Sequence, residues 1–242
     1  MNITNKEARL NRFYGDVARV QNRDIIGLIT GRRILDIGCG YGNLMKQIKE
    51  NRRDAQVTGI DSDPEAVKIA KDLYGINVGQ VSVHDMDFPK DHFDTVLLRE
   101  TIHHFDTEES MSSALKKIKE VCAKELIIFD PNPNFIVRLA RKIIRHQDPE
   151  AQLDDVVDAL EKNGFKVIKY SWRDIIALPL SGGYVGIELV PNAGFIKKMV
   201  ITFDNWLNAV LRRVNMQRLF CWRYLIYAIK HDEKQKEGEG LP

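Results

Sequence analysis

Three kinds of residue in this chain have the type and spacing to do chemistry. The first is the loop Gly38-Cys39-Gly40-Tyr41-Gly42, entered from the apolar run Ile34-Leu35-Asp36-Ile37 and followed by a helical pattern from Asn43. Glycines let backbone N–H groups approach a ligand with no Cβ in the way, and the helix behind them presents the positive end of its dipole. The second is an acid at a strand tip, Asp61, which closes Val57-Thr58-Gly59-Ile60-Asp61. A carboxylate in that place can accept hydrogen bonds from both hydroxyls of a ribose. The third is the adjacent pair His103 and His104, within Arg99-Glu100-Thr101-Ile102-His103-His104-Phe105. Imidazoles titrate near neutrality and serve as general bases.

These groups need a scaffold that brings strand ends together. Strand patterns occur at 33–37, 56–60, 78–83, 93–98, 124–129, 165–170 and 221–229, and from residue 33 onward they alternate with helical patterns. That alternation predicts an α/β fold: a Rossmann-like, doubly wound, mostly parallel seven-stranded sheet covered on both faces. Asp63-Pro64 reads as a cap followed by proline in the first turn. Asp106-Thr107-Glu108-Glu109 reads as a capping box with Asp106 as cap, and Gln147-Asp148-Pro149-Glu150 repeats the Asp-Pro device. The glycine spacing is G-x-G-x-G, neither the dinucleotide fingerprint nor the phosphate loop, which counts against NAD and nucleoside triphosphates.

In these features the sequence resembles the class I S-adenosylmethionine-dependent methyltransferases. The first strand and glycine loop match that family's first motif, Asp61 its ribose acid, Val83-His84-Asp85-Met86 its third-strand tip, and Phe93-Asp94-Thr95-Val96-Leu97-Leu98 its fourth strand. The resemblance covers residues 31–170 and a last strand near 221–229, expected to be antiparallel. It implies S-adenosylmethionine as cofactor and S-adenosylhomocysteine as product. Gly38, Cys39, Gly40 and Gly42 would face the methionine end, with Cys39 a small loop filler and not a nucleophile. Asp36 would orient the loop or reach the amino group through water, or simply stabilise the turn. Asp61 and Ser62 would hold the ribose, or cap a helix. Asp85 would accept from the adenine amino group with Met86 on the ring, or belong to a surface turn. Tyr14 would lie over the cofactor, or in the core. Arg99 stands where the family usually has a small residue. His103 and His104 are the catalytic candidates, weighed against histidines bonded to backbone at a helix start. Asp130 and Asn132, in Asp130-Pro131-Asn132-Pro133, touch the acceptor or stiffen a turn.

The family's amino-methylating tetrad, Asn/Asp-Pro-Pro-aromatic, is replaced by Arg99-Glu100-Thr101-Ile102, which disfavours adenine or glutamine N-methylation. A net charge of +2 gives no bulk attraction to nucleic acid. Three scattered cysteines point to a reducing compartment and no zinc site, so no metal is expected. No apolar run reaches membrane-spanning length, and the N-terminus does not read as a signal peptide. The expected protein is one methyltransferase domain over 1–230, with core 31–170 and 221–229, acceptor-lid additions at 131–147 and 173–219, and a flexible tail at 231–242. Residues 1–30 read as helical, and Leu178-Pro179-Leu180-Ser181-Gly182-Gly183-Tyr184 as a mobile lid. The acceptor is expected to be a small molecule or lipid. Basic and apolar residues at helical spacing in 135–146 and 195–214 suggest a cytoplasmic protein with peripheral contact at the inner membrane face. The alternatives are a packed lid with solvated charges, a protein or RNA methyltransferase, or a nucleotide-binding protein that transfers no methyl group.

Overall fold

The structure is a computed structural model that describes residues 13–144, 149–183, 188–191 and 193–231. The helix expected over 1–30 appears as α1 (Phe13–Ile26), and residues 1–12 and the tail 232–242 lie outside the described residues. There follow β1 (Arg33–Ile37), α2 (Asn43–Asn51), β2 (Gln56–Asp61), α3 (Pro64–Tyr74), β3 (Val78–Gln80), β4 (Phe93–Arg99), a single 3-10 turn (Ile102–His104) and α4 (Glu108–Val121). The second half comprises β5 (Cys122–Pro131), α5 (Phe135–Ile144), α6 (Leu153–Lys162), β6 (Phe165–Arg173), α7 (Ala177–Leu180), α8 (Gly194–Arg213), α9 (Gln217–Phe220) and β7 (Arg223–Lys230).

The seven strands form one sheet in the order β3-β2-β1-β4-β5-β7-β6. Every pairing is parallel except those of β7, which runs antiparallel to both β5 and β6. The central strands are buried on both faces, as their near-continuous apolar runs require. Leu35, Val96, Leu98, Leu126 and Ile128 pack with α4 and α6, while Ile34, Leu97, Ile127 and Phe129 pack with α1 and α2. A third cluster joins α1, α5 and α7 through Phe13, Val17, Val137, Ala177 and Leu178.

Local chemistry shifts several expected boundaries. Asp63 caps α3 as expected, accepting from the Glu65 amide at 2.9 Å with Pro64 in the first turn. The cap of α4 is Thr107, which accepts from Ser110 N at 3.0 Å, not Asp106 one residue earlier. The Asp-Pro device near 148 starts no helix: Pro149 and Glu150 are non-helical, α6 begins at Leu153 behind Gln152, and Asp148 lies outside the described residues. β3 is shorter than expected because the chain turns at Ser82, whose carbonyl accepts from Asp85 N.

Leu178 to Gly183 is anchored rather than hinge-like. Leu178 and Ser181 are buried, Ser181 Oγ donates to Leu178 O at 2.7 Å, and Gly182 (φ 77°) closes the end of α7. Tyr184 lies outside the described residues.

Sequence patterning gave no sign of the carboxylate that ties the sheet together at its N-terminal edge. Glu125 on β5 is 1% exposed. It accepts from Thr30 N at 2.7 Å, Thr30 Oγ1 at 3.0 Å, Thr95 Oγ1 at 2.6 Å and Tyr227 OH at 2.9 Å. One side chain thus joins the lead-in to β1 with β4, β5 and β7. Glu125→Ala leaves the buried Thr95 hydroxyl without its acceptor and unties Thr30 and Tyr227 from β5, and should cost about 1–3 kcal/mol of unfolding free energy in a denaturant titration. Glu125→Gln, which keeps one acceptor oxygen, should cost less.

Candidate active site

Strand order reverses between β1 and β4, so their carboxyl ends leave a crevice between diverging connections. A cavity of about 540 Å³ opens there, within the range of small-molecule sites. Its lining comes from four strand ends: Ile37 and Gly38 after β1, Asp61 and Ser62 after β2, Val81 to His84 after β3, and Glu100, Thr101, His104 and Phe105 after β4.

The glycine loop forms the floor, and two of its glycines do different work. Gly38 has φ 68°, and a Cβ there would lie 2.5 Å from Thr101 Oγ1. Thr101 needs that space, because its hydroxyl donates to Ile37 O at 3.1 Å and braces the turn against β4. Gly40 has φ 52°, and a Cβ there would meet nothing within 4 Å. Its missing side chain leaves an open cradle. Gly38 and Cys39 N–H groups donate to Ile60 O at 2.8 and 3.1 Å, and Gly40 N–H donates to Asp61 Oδ2 at 2.7 Å. The other oxygen of Asp61 accepts from Asp63 N at 2.9 Å. Asp61 is therefore aimed by loop and helix start together. α2 begins at Gly42 with no side-chain cap and no acid in its first turn, leaving its N-terminal amides to a ligand.

Asp36 lies beneath the floor. It is 1% exposed, and Oδ1 has no hydrogen-bond partner. Burial pushes its pKa up to about 7, opposed by Arg99 and reinforced by Asp61. Arg99 donates to Gln21 Oε1 at 2.9 Å, lies over the Phe129 ring, and leaves Nε unpartnered. Gln21 in turn donates to Asp174 Oδ2 at 2.8 Å, linking the site to α1 and the start of α7. The Asn22 amide on α1 is fully buried with neither nitrogen nor oxygen bonded. Burial also pushes up the Cys39 thiol, with Asp36 and Asp61 adding to the shift. A thiol held protonated is no nucleophile.

The two histidines are placed differently. His103 is buried, its Nδ1 within 2.9–3.0 Å of both Asp130 oxygens, and Asp130 also accepts from Thr101 N at 3.0 Å. His104 is exposed and lines the cavity, its ring 4.2 Å from that of His103. Asp130 is thus a support for the β4 connection. Asn132 is another support, its Nδ2 donating to Arg218 O at 2.9 Å and Cys221 O at 2.8 Å.

Of the residues singled out from sequence, the structure brings Gly38, Asp61, Ser62 and His104 to the cavity wall, while Gly40 bonds to Asp61 behind it and Asp36, Cys39 and Arg99 do not line it. Asp85 is exposed in a turn and Met86 is buried in the core; Val81, Ser82, Val83 and His84 take that wall. Tyr14 is half-buried against the α1–α5–α7 cluster. Glu100 was not singled out. It lines the cavity with a left-handed backbone, φ 55°. Burial opposes its ionisation, but Arg223, Arg99 and His103 outweigh that and lower its pKa. Arg223 stands 3.5 Å away on β7, a contact between strands distant in sequence.

The raised acids have a thermodynamic consequence. Between about pH 4 and pH 7 folded Asp36 keeps a proton that the unfolded chain has released, so its stabilisation is full at low pH and lost as pH rises through 7. Asp174, pushed to about 7 by burial and by Asp204, acts in the same window. The Asp36 share is at most about 4 kcal/mol. In denaturant titrations, Asp36→Asn should reduce the loss of stability between pH 5 and 8.

Residues 34–125 match the family model described as a methyltransferase domain. An O-methyltransferase of Penicillium expansum is 30% identical over 149 residues, covering 57% of this chain and 53% of that protein. A ubiquinone biosynthesis O-methyltransferase of Alkalilimnicola ehrlichii is 33% identical over 100 residues, covering 38% and 39%. The chain therefore spans about half or less of these two relatives. A solved structure of a methyltransferase from Archaeoglobus fulgidus, described as dependent on S-adenosylmethionine, superposes with a TM-score of 0.65 over 89% of this chain and 94% of that one, at 19% identity. That likeness establishes the shared fold. The glycine loop, the strand-tip acid and the reversed strand order thus share one crevice, and the stretch 34–125 that carries them is the one that matches the methyltransferase domain.

Proposed function

We propose that this chain binds S-adenosylmethionine in the 540 Å³ cavity and transfers its methyl group to a small-molecule acceptor of lipid type, releasing S-adenosylhomocysteine. The observation that carries this reading is the Gly40–Asp61 pair: a loop with an empty Cβ cradle, bonded to the carboxylate that lines the cavity. The residues fit the cofactor. Asp61 is placed to take the ribose hydroxyls, with Ser62 beside it. The open amides of α2 suit a carboxylate, and the orphaned Asp36 Oδ1 suits a cationic amino group. When bound, S-adenosylmethionine supplies an electrophilic methyl group on a good leaving group.

The protein's part is alignment and exclusion of water. An acceptor hydroxyl must also lose a proton as it attacks, and His104, which shares the cavity wall with a second imidazole, His84, is placed to take it. His103, fixed by Asp130, positions the turn that carries His104. The names of the relatives support an oxygen acceptor and a small molecule. The lipid character is our own step, supported by the exposed apolar side chains of α5 and α8.

Two measurements test the reading. Asp61→Ala should weaken cofactor binding by about 1–3 kcal/mol in a calorimetric titration, as a charge-assisted hydroxyl pair is lost. Unchanged affinity would remove Asp61 from the site. His104→Ala should lower turnover about 10²–10⁴-fold with cofactor affinity intact, and turnover that survives in this variant would leave positioning alone as the catalytic contribution.

A further inference from the structure

α5 and α8 each bury one face and leave the other in water. Val137 and Ala140 of α5 pack with Val200 and Ile201 of α8 in the same cluster, and α9 packs against both helices. α8 is also fixed by Asp204, which accepts from Ile175, Ile176 and Ala177 amides at 3.0, 2.6 and 2.8 Å. The outward faces are apolar. On α8, Phe195, Met199, Phe203 and Trp206 recur at intervals of four, four and three, which is one helix face, and all four are exposed. On α5, Phe135, Ile136, Leu139 and Ile143 are exposed, with Phe135 at 79%. Leu219 of α9 adds to the same apolar surface. Soluble proteins rarely leave so many large apolar side chains on one set of neighbouring helices without a partner.

The charges name that partner. Lys142 on α5 and Lys198, Arg212 and Arg213 on α8 are exposed, and none has an ion pair among the described residues. The helices hold no exposed acid: α5 has none, and the single acid of α8 is the buried Asp204. A protein partner would be met by side chains of both signs. Apolar faces on two helices that carry unpaired cations and no exposed acid of their own, with phenylalanines and a tryptophan at the surface, complement a layer of anionic headgroups over acyl chains.

We propose that the outer faces of α5 and α8 dock this protein on an anionic lipid bilayer, with Phe135, Phe195, Phe203 and Trp206 entering the headgroup boundary. The docking itself needs no bound cofactor. Its failure is therefore distinguishable from failure of the methyl-transfer reading.

Trp206 reports on the contact directly. Of the three tryptophans, Trp172 and Trp222 are buried and Trp206 is 57% exposed. Full-length protein without cofactor is mixed with phosphatidylcholine vesicles carrying about one-third phosphatidylserine, and with phosphatidylcholine vesicles alone. Anionic vesicles should pellet the protein, shift its emission to the blue and expose it to brominated-lipid quenching, with release at high salt. The Trp206→Phe variant should still pellet but lose the shift. Lys198→Glu with Arg213→Glu should lower the partition coefficient at least about tenfold. Phe195→Ser with Phe203→Ser should do the same with little change in thermal stability, since Phe195 is 75% exposed and Phe203 is half-exposed and stacks on the exposed Trp206. Protein that stays in the supernatant with anionic vesicles at low salt overturns the proposal. So does a dimer in sedimentation velocity that the Phe195→Ser, Phe203→Ser pair dissociates, if vesicle binding is absent.

Discussion

The hydrogen bond from Gly40 N–H to the Asp61 carboxylate, 2.7 Å long, sets the geometry on which the site depends. β1 and β2 are neighbours, and each ends in a connection that must leave the sheet at the same edge. Without a fixed link those two turns would be independent. The carboxylate joins them, and its second oxygen fixes the start of α3 through Asp63 N. Loop, acid and helix start thus move as one body. Thr101 does the corresponding work on the other side of the crevice by bonding Ile37 O, and Gly38 has no Cβ because Thr101 stands where it would be.

Beneath this edge lies an unusual density of buried charge. Asp36, His103, Asp130 and Arg223 are buried and Arg99 and Glu100 half-buried, and they come from β1, β4, β5, β7 and the turn after β4. In a low-dielectric setting such groups are costly unless each is satisfied, and here not all are. His103 and Asp130 satisfy each other, while Asp36 Oδ1 and Arg99 Nε remain unbonded. Stability is therefore held below its maximum at the place where a ligand bearing both charges would be held.

The chain also separates rigidity from contact. The sheet is tied at its far edge by Glu125 and packed on both faces. The added helices α5, α7 and α8 share a smaller cluster of their own, bound to the core through α1 and Asp204. The strand-end cavity therefore sits on the main sheet, and the added helices form a separate packing unit beside it.

The sequence by itself determined the strand and helix alternation and with it the fold class, the glycine loop and Asp61, while the antiparallel sense of the last strand came from the family resemblance. The alternation, the loop and the acid are each written in local spacing: a run of apolar residues, a left-handed turn that needs glycine, an acid at a strand tip. Tertiary structure decided what depends on residues far apart in the chain. It separated His103 from His104, because the Asp130 that immobilises one comes from β5. It made Glu125 a junction and Glu100 a cavity residue, since their partners Tyr227 and Arg223 lie about 100 or more positions away. It moved the third-strand contribution from Asp85 and Met86 to Val81 through His84, because β3 is only three residues long and turns early. It also divided the apolar residues of α8 into an inward and an outward face. Helical spacing alone shows an apolar stripe, and only packing shows which part of that stripe finds a core and which part is left to meet something else.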